Sequence, residues 1–299
     1  TWGSTMGEKV LVTGAAGLLG RRAVTALLES GYDVHAVDRT DAVATLACKR
    51  YDVVDLAQWD GLESAVADAD VLVHIAAVTD VANVPPRTLF DSNVTVTSRL
   101  LHAAGAARLR KIVYASSQSA LGFSRAPQMI VPDYLPVDEQ HRCYPIETYG
   151  LSKLVGEQLC AVVATGYGVP TLSLRFPVIW APEGYEAHVG LRLGNPAQAP
   201  KSFWSYVDVR DAARAMVLGV GAETGPCEVL NISARWSFCD GDIHAAARAA
   251  YGAIPSRLSD APDAPLYAVD RAAEKIGFRA RYRWSADGIS DMGRNPSGH

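Results

Sequence analysis

Residues 10–20 read Val10-Leu11-Val12-Thr13-Gly14-Ala15-Ala16-Gly17-Leu18-Leu19-Gly20, an apolar run that breaks into three spaced glycines and resumes as a helix-forming segment. No other stretch limits the fold so tightly. A strand must feed a tight turn at Gly14, Gly17 lets backbone N–H groups approach a ligand, and Gly20 lets the following helix lie close to the strand. Such a turn aims a helix N-terminus, with unpartnered N–H groups and a positive dipole end, at a site that suits a pyrophosphate. Glycine spacing of this kind also arises by chance in alanine-rich chains, so the flanking sequence decides. Here Asp33-Val34-His35-Ala36-Val37-Asp38 follows at the distance of one βαβ unit and ends in an acid, the residue type that accepts hydrogen bonds from adenosine ribose hydroxyls. Together the two segments predict a dinucleotide-binding unit.

Short apolar, β-branched segments recur at residues 9–13, 33–38, 70–75, 111–115 and 171–176. Helix-period segments lie between them at 18–30, 90–107 and 147–164. Alternation of this kind predicts an α/β fold, a doubly wound parallel Rossmann sheet covered on both faces with right-handed crossovers. Ligands of such sheets bind beyond the carboxyl ends of the strands, so residues just after Thr13, Asp38, Ile75, Ala115 and Phe176 should face the site. The expected organisation is a dinucleotide-binding domain over 7–177 and a smaller, mainly helical substrate lobe over 178–299, from which a helix and a strand return to the first domain. A helix over 240–251 and a strand over 229–232 are expected within that second part.

Composition removes several classes of function. The chain has 299 residues, 49% hydrophobic and 20% charged, enough to bury a full core. A formal net charge of −4 offers no electrostatic basis for binding nucleic acid or an anionic membrane. No apolar run approaches the ~20 residues that span a bilayer, and no basic segment precedes an apolar signal core; the expectation is a cytoplasmic protein. Cys48, Cys143, Cys160, Cys227 and Cys239 are scattered, as for reduced thiols, and no His/Cys/carboxylate cluster has metal-ligand spacing. His74 lies inside an apolar strand and reads as a core residue. Neither an H-E-x-x-H pair nor a G-x-S-x-G elbow is present, so metal and serine hydrolysis lack support.

A second signal lies in Tyr149-Gly150-Leu151-Ser152-Lys153, where a phenol and an ammonium stand one helical turn apart on the same face. A tyrosine near pKa 10 is a poor base at neutral pH, but nearby positive charge favours its phenolate and lets it relay a proton. Ser116 and Ser117 follow the 111–115 strand, so a hydroxyl there could hold the oxygen of an alcohol or ketone while Tyr149 moves its proton.

With these motifs the chain resembles the extended short-chain dehydrogenases/reductases, in the NAD-dependent epimerase/dehydratase group, from about Lys9 to Tyr282. The matching segments are residues 13–20, Asp55-Leu56, His74-Ile75-Ala76-Ala77, Asn93-Val94, Ser116-Ser117 through Gly122, residues 149–153 and residues 206–213. The resemblance implies an enzyme with Ser117, Tyr149 and Lys153 as catalytic residues. It implies cofactor contacts from Gly14, Ala16, Gly17, Leu18, Leu19 and Gly20, from Asp38 and Arg39 at the ribose, and from Asp55 and Leu56 around the adenine. Ala76, Ala77, Ala115 and Ser116 would line the cofactor, Asn93 would order the site, and Pro177 and Val178 would approach the nicotinamide amide. Asp38 favours NAD, since its charge would repel an extra phosphate, whereas Arg39, Arg21 or Arg22 near the ribose would admit NADP. A homodimer through the 90–107 and 147–164 helices is implied as well.

Several departures bear on the substrate. Gln118 and Ser119 stand where nucleotide-sugar dehydratases carry an Asp-Glu pair, and neither can act as a carboxylate acid or base. The stretch from Arg175 to Asp208 is short for a nucleotide-sugar cradle and resembles compact members such as uronate dehydrogenases. Leu121 and Ala181 replace the usual Tyr and Gly. Candidate substrate contacts are Ser117, Gln118, Ser119, Tyr185, His188, Arg192 and Trp204, with Arg192 suited to a carboxylate or phosphate, and Glu183 and Asn195 lying in the same stretch. The pair His141 and Cys143 also invites comparison with the acid/base pair of reductive epimerases. The expected activity is oxidation or epimerisation of a secondary alcohol on a sugar or nucleotide sugar. Oxidation of a free sugar or uronic acid is the alternative, and a dinucleotide sensor without chemistry is the rival of another class.

Overall fold

The computed structural model describes residues 7–42, 47–187, 199–238, 241–285 and 287–293. Its first half alternates β1 (Lys9–Thr13), α1 (Leu18–Glu29), β2 (Asp33–Asp38), β3 (Arg50–Val53), α2 (Leu62–Ala67), β4 (Val71–His74), α3 (Pro86–Ala106), β5 (Lys111–Ser117), α4 (Thr148–Tyr167) and β6 (Thr171–Phe176). β7 (Val178–Trp180), β8 (Tyr206–Asp208), α5 (Val209–Gly221), β9 (Cys227–Asn231), α6 (Ile243–Tyr251), α7 (Asp270–Ile276), β10 (Tyr282–Ser285) and β11 (Gly288–Asp291) follow.

Seven strands form one parallel sheet in the order β3-β2-β1-β4-β5-β6-β9. Successive residues of each inner strand feed opposite faces. Val10, Val12, Val71 and Val73 join α1 and α5 on one side, whereas Leu11, Leu72, Ile112 and Tyr114 join α2, α3 and α4 on the other. Burial on both faces explains why β4 and β6 carry no exposed position. The order reverses between β1 and β4, which opens a cleft at the carboxyl edge of these strands.

β9 and α5 return to the sheet from the second half of the chain: β9 pairs with β6, and α5 packs beside α1. The remaining small lobe is built on rings. Trp180 stacks on Tyr206 at 4.7 Å and meets Trp284 at 5.0 Å and Phe238 at 5.1 Å between centroids. The β10–β11 hairpin is fastened by Asp211, whose carboxylate accepts bonds from the Arg281 and Tyr282 amides at 2.8 and 2.9 Å, and by Asp208, which accepts one from Trp284 Nε1 at 2.9 Å. Beside the helices α6 and α7 this lobe carries the short strand pairs β7–β8 and β10–β11, and the aromatic rings form its core.

The glycine turn is sterically required. Gly14 has φ +75°, and a Cβ there would lie 2.6 Å from the Ala76 amide nitrogen. A Cβ on Gly20 would meet the Gly14 carbonyl oxygen at 2.0 Å, so α1 sits as close to the turn as backbone allows. Gly20→Ala must displace α1 and is expected to cost about 1–3 kcal/mol of stability. Urea unfolding followed by circular dichroism measures the loss, with weaker dinucleotide binding beside it.

Candidate active site

The carboxyl edge of the sheet borders a cleft of about 1200 Å³, larger than the 300–1,000 Å³ typical of small-molecule sites. One end is the glycine turn. Gly17 caps α1 without any side-chain acceptor, so the first amides of the helix are left for a ligand. Asp38 stands beside them, its carboxylate accepting from the Ala16 amide at 2.9 Å and the Thr40 amide at 3.2 Å. The Thr40 hydroxyl also donates to it at 3.4 Å, and the carboxylate keeps acceptor capacity toward the cleft that it lines. Asp55 tightens its own turn through the Ala57 amide at 3.0 Å, and Leu56 beside it is buried. Arg99 holds that turn from α3 by donating to the carbonyls of Leu56, Ala57 and Trp59.

Asn93 fixes the opposite wall. Its Oδ1 accepts from the Val78 amide at 2.7 Å, and its Nδ2 donates to the Val78 carbonyl at 3.0 Å and to Ser152 Oγ at 3.2 Å, which ties the loop after β4 to both α3 and α4. His74 lies between Thr13 and Thr97 hydroxyls at 2.7 and 3.0 Å, and complete burial pushes its pKa down to about 3. It is a neutral core residue, as expected.

At the other end β5 runs two residues past the expected strand, to Ser117, whose side chain caps the next turn by accepting from the Ser119 amide at 3.1 Å. Glu147 caps α4 by accepting from the Tyr149 amide at 2.8 Å, which sets the phenol at the helix start. Tyr149 and Ser117 both line this end of the cleft. Burial pushes the phenol's pKa up, while the nearby charge of Arg125 and the Ser117 hydroxyl act downward. Lys153 donates to the Ala115 carbonyl at 2.7 Å, and burial, partly offset by Glu157, lowers its pKa to about 8. Its ammonium is 5.8 Å from the Tyr149 ring centroid, whereas the Arg125 guanidinium is 4.9 Å away. Arg125 is thus the cation nearer to the ring.

Every residue expected to touch the cofactor lines this cleft: Gly14, Ala16, Gly17, Leu18, Leu19, Gly20, Asp38, Arg39, Asp55, Leu56, Ala76, Ala77, Asn93, Ala115, Ser116, Tyr149, Lys153, Pro177 and Val178. Ser117, Gln118 and Ser119 line it too. Ser116 also turns its hydroxyl to Glu157 at 2.5 Å, and Glu157 holds Arg175 at 2.7 and 2.8 Å in a buried pair beneath the site.

Two expected substrate residues are elsewhere. Trp204 is buried with φ +47°, following Phe203 at φ +56°, and this reversal turns its ring inward against Tyr251. Tyr185 packs against Trp284 at 5.5 Å and donates to the Ser285 carbonyl. Both satisfy the aromatic core of the small lobe instead of the cleft. Arg22 is paired with Glu183 at 2.6 Å. His141 and Cys143 do not line the cleft; His141 is buried against the Asp133 amide, and the Cys143 thiol accepts from Arg175 at 3.1 Å. His188, Arg192 and Asn195 lie outside the described residues. Arg125, Lys201 and Ser202, not anticipated from sequence, line the substrate end. A charged residue in the otherwise uncharged Thr171–Phe176 strand, and an acid four positions after Lys153, were the available signals for the Arg175–Glu157 pair.

Sheet order, glycine turn, ribose acid and the Tyr149–Lys153 helix define an extended short-chain dehydrogenase/reductase. The chain belongs to the NAD dependent epimerase/dehydratase family, whose model matches residues 10–233. A Methanocaldococcus jannaschii protein named provisionally as UDP-glucose 4-epimerase is 30% identical over 253 residues, 75% of this chain and 80% of that protein. The UDP-glucose 4-epimerase of Streptococcus mutans is 27% identical, covering 91% and 92% of the two chains. Other curated relatives are matched over about half their length, as with the Staphylococcus aureus protein CapI at 55%. Among solved structures, an Agrobacterium tumefaciens short-chain dehydrogenase/reductase superfamily protein with bound NAD superposes with a TM-score of 0.69 at 24% identity, covering 93% and 94% of the chains. The Bacillus cereus UDP-glucuronic acid 4-epimerase, with UDP-glucuronic acid and NAD, gives 0.68 at 23% identity, covering 94% and 96%. NAD is the cofactor of this enzyme family, and open amides, a ribose-facing acid and the small Ala76–Ala77 floor suit it.

Two outcomes are expected. Asp38→Ala should narrow the preference for NAD over NADP by about tenfold, about 1.4 kcal/mol, read by titrating both reduced cofactors by fluorescence. Lys153 has a folded pKa near 8, below the ordinary lysine value of 10.5, so between pH 8 and 10 the unfolded chain binds the extra proton and stability rises with pH. Lys153→Met removes that contribution, at most about 1.4 kcal/mol per pH unit, and urea unfolding at stepped pH measures the change in slope.

Proposed function

We propose that this enzyme oxidises a secondary alcohol of a sugar or nucleotide sugar and either releases the carbonyl product or completes an epimerisation. One observation carries the reading: Ser117, Tyr149 and Lys153 line the same cleft that begins at the glycine turn, with Tyr149 and Lys153 one turn apart on one helix. NAD, when bound, supplies the hydride acceptor. Tyr149, as phenolate, takes the hydroxyl proton, and Ser117 orients the substrate oxygen by hydrogen bonding. Lys153, anchored on the Ala115 carbonyl, is placed to hold the nicotinamide ribose. Pro177 and Val178, which line the cleft, would stand beside the carboxamide.

The 4-epimerase relatives support a sugar substrate. Among the described residues that line the cleft, the carboxylates are Asp38 and Asp55 at the adenosine end. Gln118 is turned to Ser205 Oγ at 2.8 Å and Ser119 to Ser124 Oγ at 3.0 Å, so neither supplies the acid that 4,6-dehydration requires. A homodimer through α3 and α4 belongs to the same reading, supported by the exposed Leu151, Val162 and Tyr167 on α4.

Purified protein incubated with NAD and a panel of nucleotide sugars, free sugars and uronates tests the reaction. Growth of reduced-nicotinamide absorbance marks a dehydrogenase, and isomerised sugar without net growth marks an epimerase. Silence across the panel would leave a binding protein and overturn the reading. Tyr149→Phe is expected to lower turnover by about 10²–10⁴ while NAD still binds, as measured by calorimetry.

A further inference from the structure

Charge is divided along the cleft. Among its described lining residues, Asp38 and Asp55 stand at the adenosine end, whereas Arg125 and Lys201 stand at the substrate end beyond Lys153. Two of these cations are engaged: Lys153 on the Ala115 carbonyl, and Lys201 on the carbonyls of Ala126 and Pro127 at 2.6 and 3.2 Å. Arg125 differs. Its guanidinium lies over the Tyr149 ring, and no carboxylate among the described residues pairs with it.

Its loop is nevertheless fixed. Ser124, just before Arg125, is bonded to Ser119 through the side-chain hydroxyls at 3.0 Å, and Lys201 pins the backbone just after it. A guanidinium laid on a ring uses its flat face and leaves the N–H donors at its edge for a planar or tetrahedral oxyanion. Unpaired arginines are common on surfaces, but this one lines a cleft whose substrate end carries no carboxylate among the described residues.

We infer that Arg125 binds an oxyanion, carboxylate or phosphate, carried by the substrate sugar on the same ring as the hydroxyl that Tyr149 deprotonates, so that the enzyme selects acidic sugars. The inference rests on the proposed reaction in placing that hydroxyl at Tyr149. The negative group neutralises a cation that has no carboxylate partner among the described residues, and a neutral sugar does not.

Isothermal titration of the NAD-loaded protein with matched ligands tests this: glucuronate against glucose, galacturonate against galactose, and glucose 1-phosphate against glucose. At least one anionic member is expected to bind tenfold or more tightly than its neutral partner. Arg125→Gln should erase most of that preference, and Arg125→Lys should keep part of it, because an ammonium retains the charge but not the fork. Preference for the uronates alone identifies a carboxylate, and for glucose 1-phosphate alone a phosphate; either supports the site. Equal binding of neutral sugars, no binding of any anionic member, or a preference that survives Arg125→Gln overturns it. Turnover of the same pairs separates the two ideas. A binding preference without turnover removes the proposed reaction and leaves the anion site, whereas turnover without preference removes only the anion site.

Discussion

The closeness of α1 to the glycine turn governs the rest of the structure. Because neither Gly14 nor Gly20 carries a Cβ, the helix abuts the turn backbone to backbone, and its open amides face the cleft edge. Asp38 then reaches across from β2 to the Ala16 amide. Turn, helix dipole and ribose acid are therefore one mechanical unit, and a shift in any of them moves all three. The 2.9 Å bond to Ala16 does two tasks at once, holding the loop and orienting the carboxylate toward the ligand.

Behind the reacting end, buried polar groups provide the stiffness. Glu157 accepts from Ser116 and Arg175, and its negative charge also opposes the loss of Lys153's proton. Such a buried pair adds little net stability, since desolvation offsets most of the attraction, but its geometry is demanding and locks β5, β6 and α4 in register. Asn93 does the same across α3 and α4 with neutral groups. The result is a phenol held on a rigid helix start, with its serine partner on a rigid strand end, as reaction geometry requires.

The nucleotide half was legible in the sequence because its signals are local. The five expected strands and three helices all occur, with ends shifted by a few residues, since a strand buried on both faces must be apolar throughout. β3 escaped notice because Arg50–Val53 is an edge strand of largely exposed residues, and its pairing with β2 supplies what its pattern does not. The substrate end was far less legible. Trp204 and Tyr185 have the chemistry of ligand contacts, yet left-handed backbone and distant rings turned them into core. Arg125 carries no motif at all; its place beside Tyr149 follows from the path of the 122–127 loop, which depends on contacts to residues as distant as Lys201.

The ring cluster that centres on Trp180 draws its members from four separated stretches, and Trp284 is the last of them to leave the ribosome. Domains generally condense as they emerge, N-terminal parts first. The six strands up to Phe176 can assemble early, but their sheet keeps an open flank until β9 arrives at residue 231. For this chain, biosynthesis therefore has a vulnerable interval in which an unpaired β6 edge, and then half a stack of tryptophans, wait for sequence still to come.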